Sequence, residues 1–190
     1  MVEIEVKFAV TDPNTLIARL NAAGFHEETP RTFERNILYD TPDRRLRSQQ
    51  SILRVRRYGE RWVVTHKCLT PDNDPAARHK QREETETEVK DGEAIGTIFS
   101  RLGFAPAFIY EKYRTEFADA TGHCVLDETP IGVYAELEGP SDWIDSTGHK
   151  LGIDPAHFIT LSYGRLFDQW RQQTNSKAQD FTFEEIKPQP

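Results

Sequence analysis

The chain has two cysteines, Cys68 and Cys124, too few and too isolated for a disulfide scaffold or a zinc ribbon. Nowhere do 18 apolar residues follow one another, so no segment reads as a spanning helix and no membrane partner is expected. The start lacks a basic stretch followed by an apolar run, and the expectation is an intracellular, cytoplasmic protein. A general basic field is missing as well. With a net charge of −7 the chain would not gather a nucleic-acid backbone, and any polyanion site must be a local basic cluster inside an acidic shell. No glycine-rich phosphate loop occurs, since Gly92 and Gly96 flank no lysine and serine pair. The six histidines are scattered without ligand spacing, which argues against zinc. Cys68 lies beside Lys67, a charge that favours a thiolate, yet it has no partner for a nucleophilic role.

What the chain does have is charge laid out at strand spacing. Its 190 residues suit a single domain, expected over 1–173, followed by a loose polar tail over 174–190. Asp12-Pro13 starts a first helix that carries Leu16, Ile17 and Leu20 on one face and ends at Gly24. Strands are predicted at 33–40, 51–58, 61–67, 82–89, 109–117, 124–128 and 133–139, in addition to the first at the N-terminus. A second helix is predicted at about 91–102 and a third at about 155–173. The loop from Leu69 to Lys80, rich in proline, fits no motif. One echo stands out: the strand Glu3-Ile4-Glu5-Val6-Lys7 leads into a helix ending LNAAGF, and Glu86-Thr87-Glu88-Val89-Lys90 into one ending FSRLGF. Two similar halves closing one sheet would give this.

Side chains alternate faces along a strand, so the inward set follows from parity. Glu3, Glu5 and Lys7 share a face, as do Arg54 with Arg56, and Lys67 with Val63 and Thr65. Arg82 aligns with Glu84, Glu86 and Glu88, and Lys112 with Arg114 and Glu116. Asp127 lies opposite Leu126, and Glu136 and Glu138 lie opposite Leu137. On any single strand a wet face gives such alternation. Across most strands, however, these faces hold almost only arginine, lysine and glutamate, often as like pairs about 7 Å apart that repel unless something of opposite sign lies between them. A metal-bound polyanion relieves both kinds of pair: carboxylates take the divalent cation, guanidinium and ammonium groups the phosphoryl oxygens. About eight strands close into a barrel whose interior fits side chains or one small ligand. The charged faces would then line a polar tunnel. Val2, Ile4 and Val6 would point outward, and the two early helices and the C-terminal helix would cover the outer face.

The ordered set resembles the CYTH, or triphosphate tunnel metalloenzyme, superfamily. It comprises ExExK at Glu3, Glu5 and Lys7; Tyr39-Asp40-Thr41; Arg54 with Arg56; and Thr65-x-Lys67. RxExE follows at Arg82, Glu84 and Glu86, then Lys112-x-Arg114, Leu126-Asp127, Glu136-x-Glu138 and Ser162-Tyr163. The resemblance runs from about residue 2 to 170. It implies an α+β fold: an eight-stranded antiparallel barrel flanked by helices, binding a triphosphate with Mg²⁺ or Mn²⁺. By position it makes Glu3, Glu5, Glu136 and Glu138 metal ligands, with Asp127 assisting. Lys7, Arg54, Arg56, Lys67, Arg82, Lys112 and Arg114 would hold the phosphates. Glu84 and Glu86, with Lys67, would form the catalytic group, holding a second metal or orienting water. Arg165 would close one mouth.

The expected function is a metal-dependent triphosphatase acting on tripolyphosphate or on a nucleoside or thiamine triphosphate, as monomer or homodimer. The alternative is a class IV adenylyl cyclase converting ATP to cyclic AMP and pyrophosphate. It needs an adenine pocket, for which Trp62 and Tyr58 are the stacking candidates, although either is more often a packing residue. A non-catalytic polyphosphate-binding module would not need Glu3, Glu5, Glu136 and Glu138.

Overall fold

A computed structural model describes residues 2–71 and 79–186. Most of the Leu69 to Lys80 loop and the last four residues of the expected tail lie outside the described residues. Eight antiparallel strands close into a barrel: β1 (Val2–Val10), β2 (His26–Asp40), β3 (Ile52–Tyr58), β4 (Arg61–Cys68), β5 (Lys80–Val89), β6 (Ala105–Ala118), β7 (His123–Thr129) and β8 (Gly132–Glu138). Their order around the wall is β1-β5-β4-β3-β2-β6-β7-β8. The helices are α1 (Pro13–Ala22), α2 (Arg45–Ser48), α3 (Gly92–Arg101), α4 (Ser141–Lys150) and α5 (Tyr163–Thr174). None of them is long and apolar enough to cross a membrane.

The echoed halves are visible in this order. Exchanging β1–β4 for β5–β8 leaves every strand pairing unchanged. The local chemistry repeats too. Asp12 and Asp91 cap α1 and α3, each accepting a backbone N–H in the first turn. Gly24 and Gly103 follow the two helices with φ of +93° and +92°, a region that glycine enters without steric cost. The next residue closes each turn, Phe25 N–H donating to Leu20 and Phe104 N–H to Phe99, both at 3.0 Å.

The barrel is inverted, as the alternation requires: its main apolar core lies outside the wall. Val6, Phe8, Phe117, Cys124, Leu126, Ala135 and Leu137 pack beneath Leu16 and Leu20 of α1 and Ile144 of α4. Val2 departs from the expected pattern and is exposed, while Ile4 is only partly covered. Helix α3 lies against the wall at β4 and β2 through two glycines. A Cβ on Gly92 would stand 2.1 Å from the Trp62 ring, and one on Gly96 2.4 Å from the Tyr39 hydroxyl. Those glycines, and Trp62, are packing residues.

The third predicted helix needs correction. Residues 155–157 form a single 3₁₀ turn, and α5 starts only at Tyr163, capped by Ser162. Between them Ile159 is extended, exchanging backbone hydrogen bonds with Lys7 at 2.7 and 3.0 Å. Helix α4 was missed because SDWIDSTGHK has weak helix formers and no side-chain cap; burial of Ile144 and Thr147 holds it in place. Helix α5 does not cover the outer face. Tyr163, Leu166 and Phe167 pack against Leu38, Phe108, Tyr110 and Tyr134, which share inward parity with the charged residues, so α5 stoppers one end of the barrel.

The tail is not loose. Phe181 is fully buried and Ile186 nearly so. Phe181 N–H donates to Ile109 at 2.9 Å, and its carbonyl accepts from Glu111 N–H at 3.0 Å. β7 pairs with β6 only from Tyr113 onward, so the tail covers a β6 edge that would otherwise be unpaired. β2 and β6 also start earlier than predicted, at His26 and Ala105.

Candidate functional site

The charged side chains meet inside the barrel. Lys67 on β4 reaches Glu3 on β1 at 2.6 Å, with β5 between those strands. Arg56 on β3 reaches Glu86 on β5 at 3.0 Å across β4, and Arg114 on β6 reaches Glu136 on β8 at 2.8 Å across β7. Pairs two strands apart can touch in this way only on the concave side.

The interior divides into a basic and an acidic region. In the basic region, Asp127 accepts from Nε and Nη2 of Arg114 at 2.7 Å, from Lys112 at 2.9 Å and from the Tyr163 hydroxyl at 2.7 Å. Lys7 is paired with Glu136 and stands 4.2 Å from the centre of the Tyr163 ring. Arg54 donates to Thr65 at 3.0 Å and to the Tyr110 hydroxyl at 3.1 Å, and lies 3.6 Å from Glu86. Burial raises Glu136, but Lys7, Arg114 and Lys112 outweigh it and hold its carboxyl well below the usual range.

The acidic region lies where β1, β8 and β5 adjoin. Glu5 stands directly across from Glu138 in the β1–β8 register, and Glu3 across from Arg82 in the β1–β5 register. Lys67 lies 2.9 Å from Glu84, and Lys80 is paired with Glu5. No ion pair reaches Glu138 among the described residues. Burial, then the charges of Glu3 and Glu5, push its carboxyl up to about 7. Glu3 is likewise raised, by burial and by Glu5.

This is the chemistry that a hard divalent cation relieves, and oxygen-only donors suit Mg²⁺ or Mn²⁺. Among the described residues no three acidic side chains already converge on one point, because Glu3 and Glu5 are turned toward lysines. Glu138, Glu3 and Glu5 supply the oxygen donors that such a cation takes, with Glu3 and Glu5 held by Lys67 and Lys80. Asp127 and Glu136 are engaged within the basic region. Glu84 and Glu86 sit beside Arg54, Arg56 and Lys67, whereas Glu88 pairs with Arg61 in exposed surroundings. Arg82 donates to the Gln81 carbonyl at 2.9 Å.

Parity had more to give on β2. Glu34 and Asn36 are fully buried at the centre of the interior. Glu34 lies 3.5 Å from Lys112 and 3.9 Å from Arg56, and accepts from Asn36 at 2.8 Å. Burial raises it, but Lys112, Arg114 and Arg56 bring it down to about 2. Glu34 Oε2, Asn36 Oδ1 and the Nε groups of Arg54 and Arg56 have no hydrogen-bond partner among the described residues. Buried polar atoms without partners mark a space for water or a polar ligand. Tyr58, the second stacking candidate, is buried, and burial followed by Glu116 pushes its hydroxyl up to about 12.

The CYTH domain family matches residues 1–140. A protein of Methanocaldococcus jannaschii whose name proposes an adenylate cyclase is 32% identical over 142 residues, covering 73% of this chain and 77% of its own. Among solved structures, a Vibrio parahaemolyticus protein also described as a proposed adenylate cyclase superposes with a TM-score of 0.75 at 17% identity, covering 88% of this chain and 98% of its own. A Hippeastrum protein, described as a proposed adenylyl cyclase with a dominant triphosphatase activity, gives 0.63 at 19% identity, covering 88% and 96%. At those identities the two structures speak for the fold, and the sequence match speaks for the family. With its inverted barrel and its match over most of its length, this chain belongs to the CYTH family.

Proposed function

We propose that the protein is a divalent-metal-dependent triphosphatase that binds its substrate inside the barrel. The observation that carries this is the convergence of Arg54, Arg56, Lys112, Arg114 and Lys7 on buried space next to Glu138, which has no ion pair among the described residues, and the lysine-paired Glu3 and Glu5. Phosphoryl transfer needs position and charge neutralisation more than a covalent nucleophile. The arginines and lysines bind phosphate oxygens and stabilise negative charge growing on the leaving phosphate. Glu3, Glu5 and Glu138 would hold the cation, with Glu136 and Asp127 keeping Lys7, Lys112 and Arg114 in place. Mg²⁺ or Mn²⁺, when bound, supplies Lewis-acid stabilisation of the phosphate oxygens. Glu84 and Glu86, beside Lys67, orient the attacking water and accept its proton.

The second reading, an adenylyl cyclase, is favoured by the names of the Methanocaldococcus and Vibrio relatives. The same interior serves both reactions, and the Hippeastrum relative's description favours hydrolysis. One assay separates them. The protein is incubated with ATP, tripolyphosphate and thiamine triphosphate plus Mg²⁺ or Mn²⁺. Orthophosphate release that stops with chelator is the expected result; cyclic AMP with pyrophosphate would establish the cyclase instead.

A further inference from the structure

One helix face on the outside of the barrel is apolar and uncovered. Among the described residues four large hydrophobic side chains are exposed, and two of them, Ile98 at 49% and Leu102 at 69%, belong to α3 and its C-cap. They stand four residues apart and so adjoin, and Ala94, one turn earlier, is exposed too. Single hydrophobic side chains are ordinary on a surface, whereas a contiguous stripe marks a contact. The inner side of α3 is already engaged. Gly92 and Gly96 fit against Trp62 and Tyr39, and the Phe99 ring lies 5.3 Å from that of Tyr39. The outer stripe is therefore surplus to the fold.

The echoed halves show how unusual it is. Asp12 and Gly24 bracket α1 at the same spacing as Asp91 and Gly103 bracket α3, so the two helices align residue by residue. Ile98 then takes the place of Arg19, and Leu102 that of Ala23. On α1 that place is covered. Arg19 donates to the Leu151 carbonyl at 2.8 Å, in the turn that ends α4, and Ala23 packs against the main core. The covered helix thus carries an arginine and an alanine there, and the open helix an isoleucine and a leucine. Polarity runs against exposure, which contact with water alone does not explain.

We propose that this face joins two copies of the protein, α3 packing antiparallel on the α3 of a second copy about a two-fold axis. The helix is complementary to itself in that arrangement. With the axis near Thr97 and Ile98, Ile98 meets its own counterpart, and Leu102 of each copy lies on Ala94 of the other, large against small. Glu93 in the first turn and Arg101 in the last are both exposed and enter no ion pair among the described residues. An antiparallel pair brings each Glu93 beside Arg101 of the other copy, whereas a parallel pair would set like charges together. The helix of ten residues is only about 15 Å long. Its face falls short of the roughly 800 Å² per partner of a standard interface, so the dimer is weak and depends on concentration. Association on the outside of the wall leaves the interior untouched, whatever the barrel binds.

Sedimentation equilibrium of the full chain tests this. The mass should rise from 21.9 kDa toward twice that value as the protein goes from micromolar to millimolar. Giving α3 the residues of α1, Ile98→Arg together with Leu102→Ala, should hold the mass at 21.9 kDa at every concentration. The melting temperature of dilute protein should not change, because both side chains are exposed. Glu93→Arg and Arg101→Glu should each weaken the dimer by roughly threefold or more. An equimolar mixture of those two variants should associate more tightly than either does alone, since each unlike pair re-forms. Wild-type protein that stays monomeric throughout would overturn the proposal and leave the stripe to a different protein. A dimer that survives the Ile98→Arg and Leu102→Ala changes would overturn it by placing the contact elsewhere. A dimer indifferent to both charge reversals would overturn the antiparallel pairing.

Discussion

Glu34 is held at about 2, against an ordinary carboxylate value near 4.5, because Lys112, Arg114 and Arg56 outweigh its burial. Its charged form therefore stabilises the fold. The contribution is complete above about pH 4.5 and is lost as pH falls from there through about 2. Glu34→Gln leaves Lys112 and Arg56 buried with less compensation, which should cost about 3 kcal/mol in urea unfolding at neutral pH, the gap from wild type closing toward pH 2. A constant gap across that range would show that the charge of Glu34 does not matter. Glu138 works in the opposite sense: it adds repulsion beside Glu3 and Glu5. Metal-free Glu138→Gln should melt higher than wild type, lose the stabilisation by Mg²⁺ and lose turnover by ~100-fold. Full turnover at limiting Mg²⁺ would remove Glu138 from the cation site. Glu138 could be read from parity alone, because Glu136 and Glu138 alternate with Ala135 and Leu137. Glu34 could not be read as easily, since Arg35 beside it is charged too and its strand then runs into Leu38 on the inward face. A mixed face hides a buried charge.

At the scale of elements, legibility followed local chemistry. Helices α1 and α3 announced themselves, having aspartate caps, an apolar face and a closing glycine. Helix α4 lacks a cap and strong helix formers, so only packing makes it. Phe158 and Leu161 fell into the period of Leu166, Phe167 and Trp170 and suggested one long helix, yet the backbone at Ile159 is claimed by Lys7. The C-terminal segment shows no period, so nothing in its sequence marked it as docked. Phe181→Ala tests that docking. The ring is fully buried against Tyr163 and Phe167, and its loss should cost about 3–5 kcal/mol. A change below about 0.5 kcal/mol would mean that the segment contributes nothing to the fold.

For the whole molecule, the net charge of −7 conceals an interior where acids and bases meet pair by pair. On the proposed function, a bound triphosphate would exchange those pairs for new ones, and its affinity would depend on how many internal contacts must be released. The barrel, its inversion and its two echoed halves were all legible from alternation and order of motifs. The stopper formed by α5 was not, because only the closed barrel shows that Leu38, Phe108 and Tyr110 face its axis at one end. The central claim is that these charges surround one enclosed site for a metal-bound triphosphate. A crystal structure with a non-hydrolysable ATP analogue and Mn²⁺, read by anomalous scattering, tests it most directly. The account predicts a manganese peak inside the barrel at Glu138 and phosphates on Arg54, Arg56, Lys112 and Arg114. Manganese and phosphates bound outside the wall, with the interior ion pairs intact, would contradict it.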